Sequence, residues 1–147
     1  SYTKGSIVLI GLNEKNPNFD RLYNRHNIFF LGMKSRKEVP EYISNFDVCL
    51  MPFNRTKIGE GLLPLKMFEY LALGKPVVAT SSQVLEQFSD VLYLANDADT
   101  FLEQINNAIT NHSSEYSDFR RDYAIKYSWE KRVNDYLSKI QEFINKR

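Results

Sequence analysis

Residues 48–80, VCLMPFNRTKIGEGLLPLKMFEYLALGKPVVAT, decide the fold. VCLMPF (48–53) and PVVAT (76–80) are short runs almost uninterrupted in apolarity, the pattern of strands buried on both faces. Between them PLKMFEYLAL (64–73) carries apolar side chains at helical spacing. It opens on Pro64, a residue comfortable at the first helical position, and is followed by Gly74. Strand, helix and strand in this order read as a βαβ unit, whose two strands run parallel.

The same alternation extends outward. SIVLIG (6–11), NIFFLG (27–32) and VLYLA (91–95) repeat the strand pattern, while NFDRLYN (18–24), PEYISNF (40–46) and SQVLEQF (82–88) repeat the helical one. The expectation is an α/β fold, Rossmann-like, with three αβα layers and a mostly parallel sheet of about five strands. One domain is expected over 1–147, with alternating strands and helices over 1–97 and a helical tail over 98–147. Asp97 or Asp99 is the expected cap of ADTFLEQINNAITN and Ser128 that of SWEKRVNDYLSKIQEFINKR. Trp129 is expected to anchor the tail helix on the sheet, and Met67, Phe68 and Tyr70 to be packing groups. Ser35 and Glu38 have the spacing of a capping box, yet Pro40 falls inside the helix that box predicts. A proline costs about 3 kcal/mol in a helix interior, so the helix is expected from Pro40 and residues 33–39 as a basic loop.

Composition narrows the function classes. With 43% hydrophobic and 25% charged residues in 147, the chain suits one soluble domain. Nineteen basic against 18 acidic side chains give no whole-molecule steering toward nucleic acid. The single cysteine, Cys49, lies in an apolar run and reads as a buried, reduced thiol, pointing to the cytosol. No run reaches the length of a membrane span, and the first residues show no signal-peptide pattern. The chain opens on Ser1 rather than Met, which reads as part of a longer polypeptide.

In an open parallel sheet, ligands bind outside the carboxyl ends of the strands. Lys34, Arg36 and Lys37 follow the second apolar run, Arg55 and Lys57 the third, and Lys66 comes soon after. The loop 54–63 is long for a βα connection and contains Gly59 and Gly61, which let a ligand approach the backbone. GEGLLP lacks the third glycine of a dinucleotide fingerprint, and there is no GxxxxGK[ST] sequence. Lys66 sits in the first turn of the following helix, where a cation opposes the macrodipole, and Lys three residues before Glu is the poorer order for an ion pair. A bound anion removes the conflict: the N–H groups of Leu62, Leu63 and Leu65 and the Lys66 ammonium then surround a phosphate. Glu69, one turn later on the same face, is placed to accept hydrogen bonds from sugar hydroxyls. The bland alternative is a weak surface pair between Lys66 and Glu69. His26 and His112 are isolated and read as surface or structural residues, and no cluster has metal-ligand spacing.

GLLPLKMFEYLALGKPVVAT (61–80) resembles the donor-site signature of retaining glycosyltransferases with the GT-B fold, a group that includes many bacterial polysaccharide and glycolipid transferases. NIFFLGMKSRKEVPEYISNFDVCLMPF (27–53) and SWEKR (128–132) extend the resemblance over nearly the whole chain. It implies the C-terminal, donor-binding domain, with Glu69 on the nucleotide ribose, backbone amides before it on the diphosphate, and the loop Gly32, Met33 and Lys34 at the base. The donor implied is a UDP- or GDP-linked sugar, with no metal or other cofactor, and Lys66 stabilises the departing diphosphate. Many members have a sugar-contacting glutamate eight positions before the ribose-binding one; here Gly61 stands there, with Glu60 beside it.

The same comparison implies that the acceptor-binding N-terminal domain lies outside this chain and that the fragment alone transfers no sugar. The longer enzyme would be cytoplasmic, peripherally associated with the inner face of the membrane. The domain's first strand, central in the 3-2-1-4-5-6 order, has no counterpart here, which predicts a gap, a rearranged sheet or pairing with another copy. The rivals are a sugar-nucleotide epimerase of the same architecture and a noncatalytic binding or scaffold module. A receiver-like module needs clustered acidic residues after its strands, whereas the first apolar run ends in Gly11 and Leu12.

Overall fold

The computed structural model describes residues 5–12, 20–54 and 63–145. All five apolar runs form strands, each trimmed at its ends: β1 (Ile7–Leu9), β2 (Ile28–Phe30), β3 (Cys49–Met51), β4 (Val77–Thr80) and β5 (Leu92–Ala95). The helices are α1 (Asp20–Tyr23), α2 (Val39–Ser44), α3 (Leu65–Ala72), α4 (Gln83–Glu86), α5 (Ala98–Thr110), α6 (Ser114–Lys126) and α7 (Trp129–Asn145). The α/β class and the parallel pairing expected from the sequence are both present.

The chain divides into two compact units, residues 1–41 and 42–147. In the first, β1 and β2 pair in parallel, Ile7 opposite Ile28 and Leu9 opposite Phe30. The Tyr23 ring of α1 stacks on Phe30 at 4.4 Å. In the second, β3, β4 and β5 form a parallel ladder, Cys49 opposite Val77 and Val77 opposite Leu92. Among the described residues the strands thus form two separate ladders, β1-β2 and β3-β4-β5.

The second unit is built around β4. Val77, Val78 and Ala79 are all fully buried; because successive side chains point to opposite faces, both faces of this strand are covered. Helices α3 and α5 pack on β4, and α6 packs on α3. Met67 and Leu71, four residues apart on α3, are fully buried, and Phe68 joins Phe88 and Tyr127 in an aromatic cluster with centroids 5.1–5.7 Å apart. Cys49 is buried as expected, and burial pushes its thiol pKa up to about 12.

Local chemistry sets the helix ends. Ser82 caps α4 by accepting from the Leu85 N–H, Asp97 forms a reciprocal box with Thr100 at the start of α5, and Ser113 accepts from the Tyr116 N–H at α6. Ser128 accepts from the Lys131 N–H before α7. The opposition between Ser35–Glu38 and Pro40 does not arise in the structure. The Ser35 N–H donates to Glu38 Oε2 at 2.8 Å and the Glu38 N–H to Ser35 Oγ at 3.3 Å, so the box closes the turn at 36–38. Helix α2 starts at Val39, one residue before the expected start, and Pro40 lies in its first turn, where a missing N–H costs little.

Two expectations about the tail are corrected. It contains three helices rather than two, because Ser113 starts a separate helix, α6. Trp129 is 76% exposed and does not anchor α7. Contact with the neighbouring elements runs through Arg132, whose guanidinium lies 6.0 Å from both the Phe68 and Tyr127 ring centroids. Among the described residues no helix is long and apolar enough to cross a membrane.

Candidate functional site

Because β3, β4 and β5 are parallel, their carboxyl ends share one edge, and the chain leaving β3 there must reach the amino end of β4 through α3. The start of α3 therefore belongs to the edge where open α/β sheets bind ligands. Pro64 is the N-cap rather than the first helical residue: its φ of −75° is the one proline imposes, but ψ of 110° is extended. Its side chain cannot accept a hydrogen bond, so the N-cap residue gives this helix no side-chain cap. The Met67 N–H donates to the Pro64 carbonyl at 3.1 Å. The N–H groups ahead of it in a first turn have no intrahelical acceptor, which is why helix starts can hold anions.

Lys66 and Glu69 rise from this turn. Lys66 Nζ lies 2.8 Å from Glu69 Oε2, and the side chains are 49% and 55% exposed. The surface pair named above as the alternative to an anion site thus forms in spite of the weaker sequence order, with each partner left about half-exposed. An exposed pair of this kind contributes about 0–1 kcal/mol, so it yields readily to a stronger partner. Leu65 is 61% exposed beside them, and Leu63 is half-buried just before Pro64. Tyr70 turns inward instead, and burial, with Cys49 and Glu69 nearby, pushes its phenol up to about 12.

At the other end of α3, Gly74 takes φ 72° and closes the helix: its N–H donates to the Leu71 carbonyl at 2.8 Å, and that of Lys75 to the Tyr70 carbonyl at 3.1 Å. This double bond pattern is a Schellman motif, and it fixes where α3 stops and β4 begins.

Gly32, Met33 and Lys34 lie in the other compact unit, at the carboxyl end of β2. Gly32 adopts φ 66°, and its carbonyl accepts from the Gly11 N–H at 3.0 Å. Met33 is 65% exposed, and Lys34 is half-buried. Glu60, Gly61 and Leu62, together with Arg55, Lys57 and Gly59, lie outside the described residues. His26 and His112 are exposed.

One chemically important residue escaped the sequence reading. Arg120 of α6 is only 3% exposed, and its Nη1 has no hydrogen-bond partner. Its neighbours in sequence, SDFRRDY (117–123), look like an ordinary charged helix face, so only the aromatic residues Tyr116, Phe119 and Tyr123 hinted at a buried side.

Comparison with known proteins agrees with this geometry. The family model for group 1 glycosyl transferases matches residues 3–111, well over half of the chain. A protein of Bacillus subtilis (strain 168), provisionally named the teichuronic acid biosynthesis glycosyltransferase TuaH, is 30% identical over 116 residues. The match covers 76% of this chain but only 29% of that protein. Parallel strands, an uncapped α3 carrying Lys66 and Glu69 at the carboxyl edge, and a family match spanning β1 to α5 lead to one assignment: this chain belongs to the group 1 glycosyl transferases.

Proposed function

We propose that the chain is the donor-binding part of an enzyme that moves a glycosyl group from a nucleotide diphosphate sugar, UDP- or GDP-linked, to an acceptor hydroxyl. The observation that carries this reading is the exposure of both Lys66 and Glu69, about half each, on the first turns of a helix whose N-cap, Pro64, offers no side-chain cap. In the free chain each charge holds the other. When a diphosphate arrives, the Lys66 ammonium exchanges a half-exposed carboxylate for phosphate oxygens, and the free amides at the start of α3 join it. Glu69, released, accepts from the ribose hydroxyls. The exchange is favourable because charge-assisted bonds to phosphate outweigh a solvent-screened surface pair.

As the bond from sugar to phosphate breaks, negative charge grows on the departing diphosphate. Lys66 and the amides after Pro64 stand ready with positive potential, an effect worth several kcal/mol, about three where one such donor is removed from a dry site. By resemblance, transfer retains the anomeric configuration, Gly32, Met33 and Lys34 contact the base, and the Glu60, Gly61 and Leu62 segment meets the donor sugar and diphosphate. The acceptor is assigned to polypeptide beyond this chain, and the bacterial setting to surface polysaccharide or glycolipid synthesis. The length of the relative and its name, which places that protein in teichuronic acid biosynthesis, support both assignments.

Calorimetric titration of the 147-residue chain with UDP, GDP and their sugars tests the proposal. Loss of one charge-assisted hydrogen bond, about 1.5–3 kcal/mol, predicts roughly ten- to hundredfold weaker binding in Lys66→Ala and in Glu69→Ala. Binding left unchanged in both variants sinks this site.

A further inference from the structure

A cleft lies at the amino end of β5, the opposite end of the ladder. It encloses about 520 Å³ where the chain enters β5 and where α5 ends and α6 begins, and Asp90, Tyr93, Gln104, Asn111, Tyr116 and Arg120 line it. The proposed donor site is at the carboxyl ends of the strands, so the two do not overlap.

Arg120 makes this cleft unusual. A guanidinium that is 97% removed from solvent is ordinarily paired with a carboxylate, and among the described residues Arg120 forms no salt bridge. The Tyr93 side chain lies near it, and the Tyr116 ring faces it, 5.9 Å from its carbon to the ring centroid. Neither neutralises it. Burial lowers its pKa, but a guanidinium stays protonated, so the charge remains without a counterion while Nη1 has no acceptor.

We infer that this cleft is a binding site for a small monocarboxylate that also carries hydroxyl or ammonium donors, its carboxylate held by the uncompensated charge of the Arg120 guanidinium. One guanidinium without a carboxylate partner suits one carboxylate. A phosphate dianion is disfavoured because Asp90, also in the lining, repels the second charge, whereas Asp90 accepts from hydroxyl or ammonium donors. The amides of Gln104 and Asn111 supply further polar contacts, and the Tyr116 ring, 56% exposed, gives the body of the ligand an apolar wall.

The test is an NMR titration of the 147-residue chain with gluconate, with phenylalanine and with inorganic phosphate. Gluconate supplies hydroxyl donors and phenylalanine an ammonium. Saturable shifts at Tyr93, Tyr116 and Arg120 with either carboxylate are expected, at least tenfold weaker in Arg120→Gln and unchanged in Lys66→Ala. The last comparison separates this site from the donor site. Removing a buried arginine can disturb folding, so Tyr116→Ala, at an exposed position, provides a second variant and is expected to weaken binding by several fold. Shifts with phosphate alone, shifts confined to other residues, or no saturable response to either carboxylate overturns the inference.

Discussion

Lys66 Nζ stands 2.8 Å from Glu69 Oε2 across one turn of α3, both side chains about half-exposed. Such a pair adds little to stability, and this separates folding from binding. Lys66→Ala and Glu69→Ala are each expected to change unfolding free energy by no more than about 0.5 kcal/mol, with a coupling of about 0–1 kcal/mol in the double-mutant cycle. Urea denaturation of the four variants measures this. A coupling of several kcal/mol would show the pair to be a structural clamp and leave the ammonium unavailable to phosphate.

Gly74 closes α3 at φ 72°, a conformation that costs an L-residue about 1–2 kcal/mol. A methyl added there also meets the Arg121 guanidinium at 3.0–3.1 Å; that side chain ends an exposed pair with Asp118 and can move, so strain dominates. Gly74→Ala is expected to destabilise the chain by about 1–2 kcal/mol, and Gly74→Asn by less, because asparagine tolerates the left-handed region. Equal losses in thermal melts would assign the cost to the Arg121 contact instead.

What could be read in advance follows from which interactions are local. Strands β1 to β5 were visible because each is a nearly continuous apolar run, and the caps at Asp97 and Ser128 because a cap depends on residues three or four apart. Lys66 and Glu69 were legible for the same reason. Tertiary facts were not: Arg120 is buried, and no property of SDFRR announces it. Trp129 misled because a lone tryptophan before an amphipathic helix suggests an anchor, whereas Arg132 makes the contact. Pro40 and the Ser35–Glu38 box were set against each other although a turn and a helix can follow in succession.

The apolar side chains of α3 and α7 look alike in sequence but differ in burial. Leu71 is fully buried against the sheet, while Ile140 is 55% exposed in a stripe with Val133, Tyr136, Leu137 and Phe143. Leu71→Ala is expected to cost about 2–5 kcal/mol and Ile140→Ala less than about 0.5 kcal/mol in this chain. Chemical denaturation of the two variants compares them directly. A loss above 1 kcal/mol for Ile140→Ala would mean that the stripe is already covered in solution.

Asp97 ties stability to pH. Its carboxylate accepts from the Thr100 N–H at 2.8 Å and from the Thr100 hydroxyl at 2.8 Å, and these bonds hold its pKa below the ordinary value of 3.8. Glu38 is lowered in the same direction by the hydrogen bonds at Ser35. A depressed folded pKa means that the unfolded chain takes up the proton first. The contribution of each carboxylate is therefore complete above its ordinary pKa and is lost as pH falls through the folded value. Unfolding free energy is expected to drop progressively below about pH 4. Asp97→Asn keeps an acceptor for the Thr100 N–H but has no proton to gain, so its stability should vary less over that range. Urea midpoints at matched ionic strength from pH 6 downward decide the matter; parallel curves for the two proteins would assign the acid sensitivity to other carboxylates.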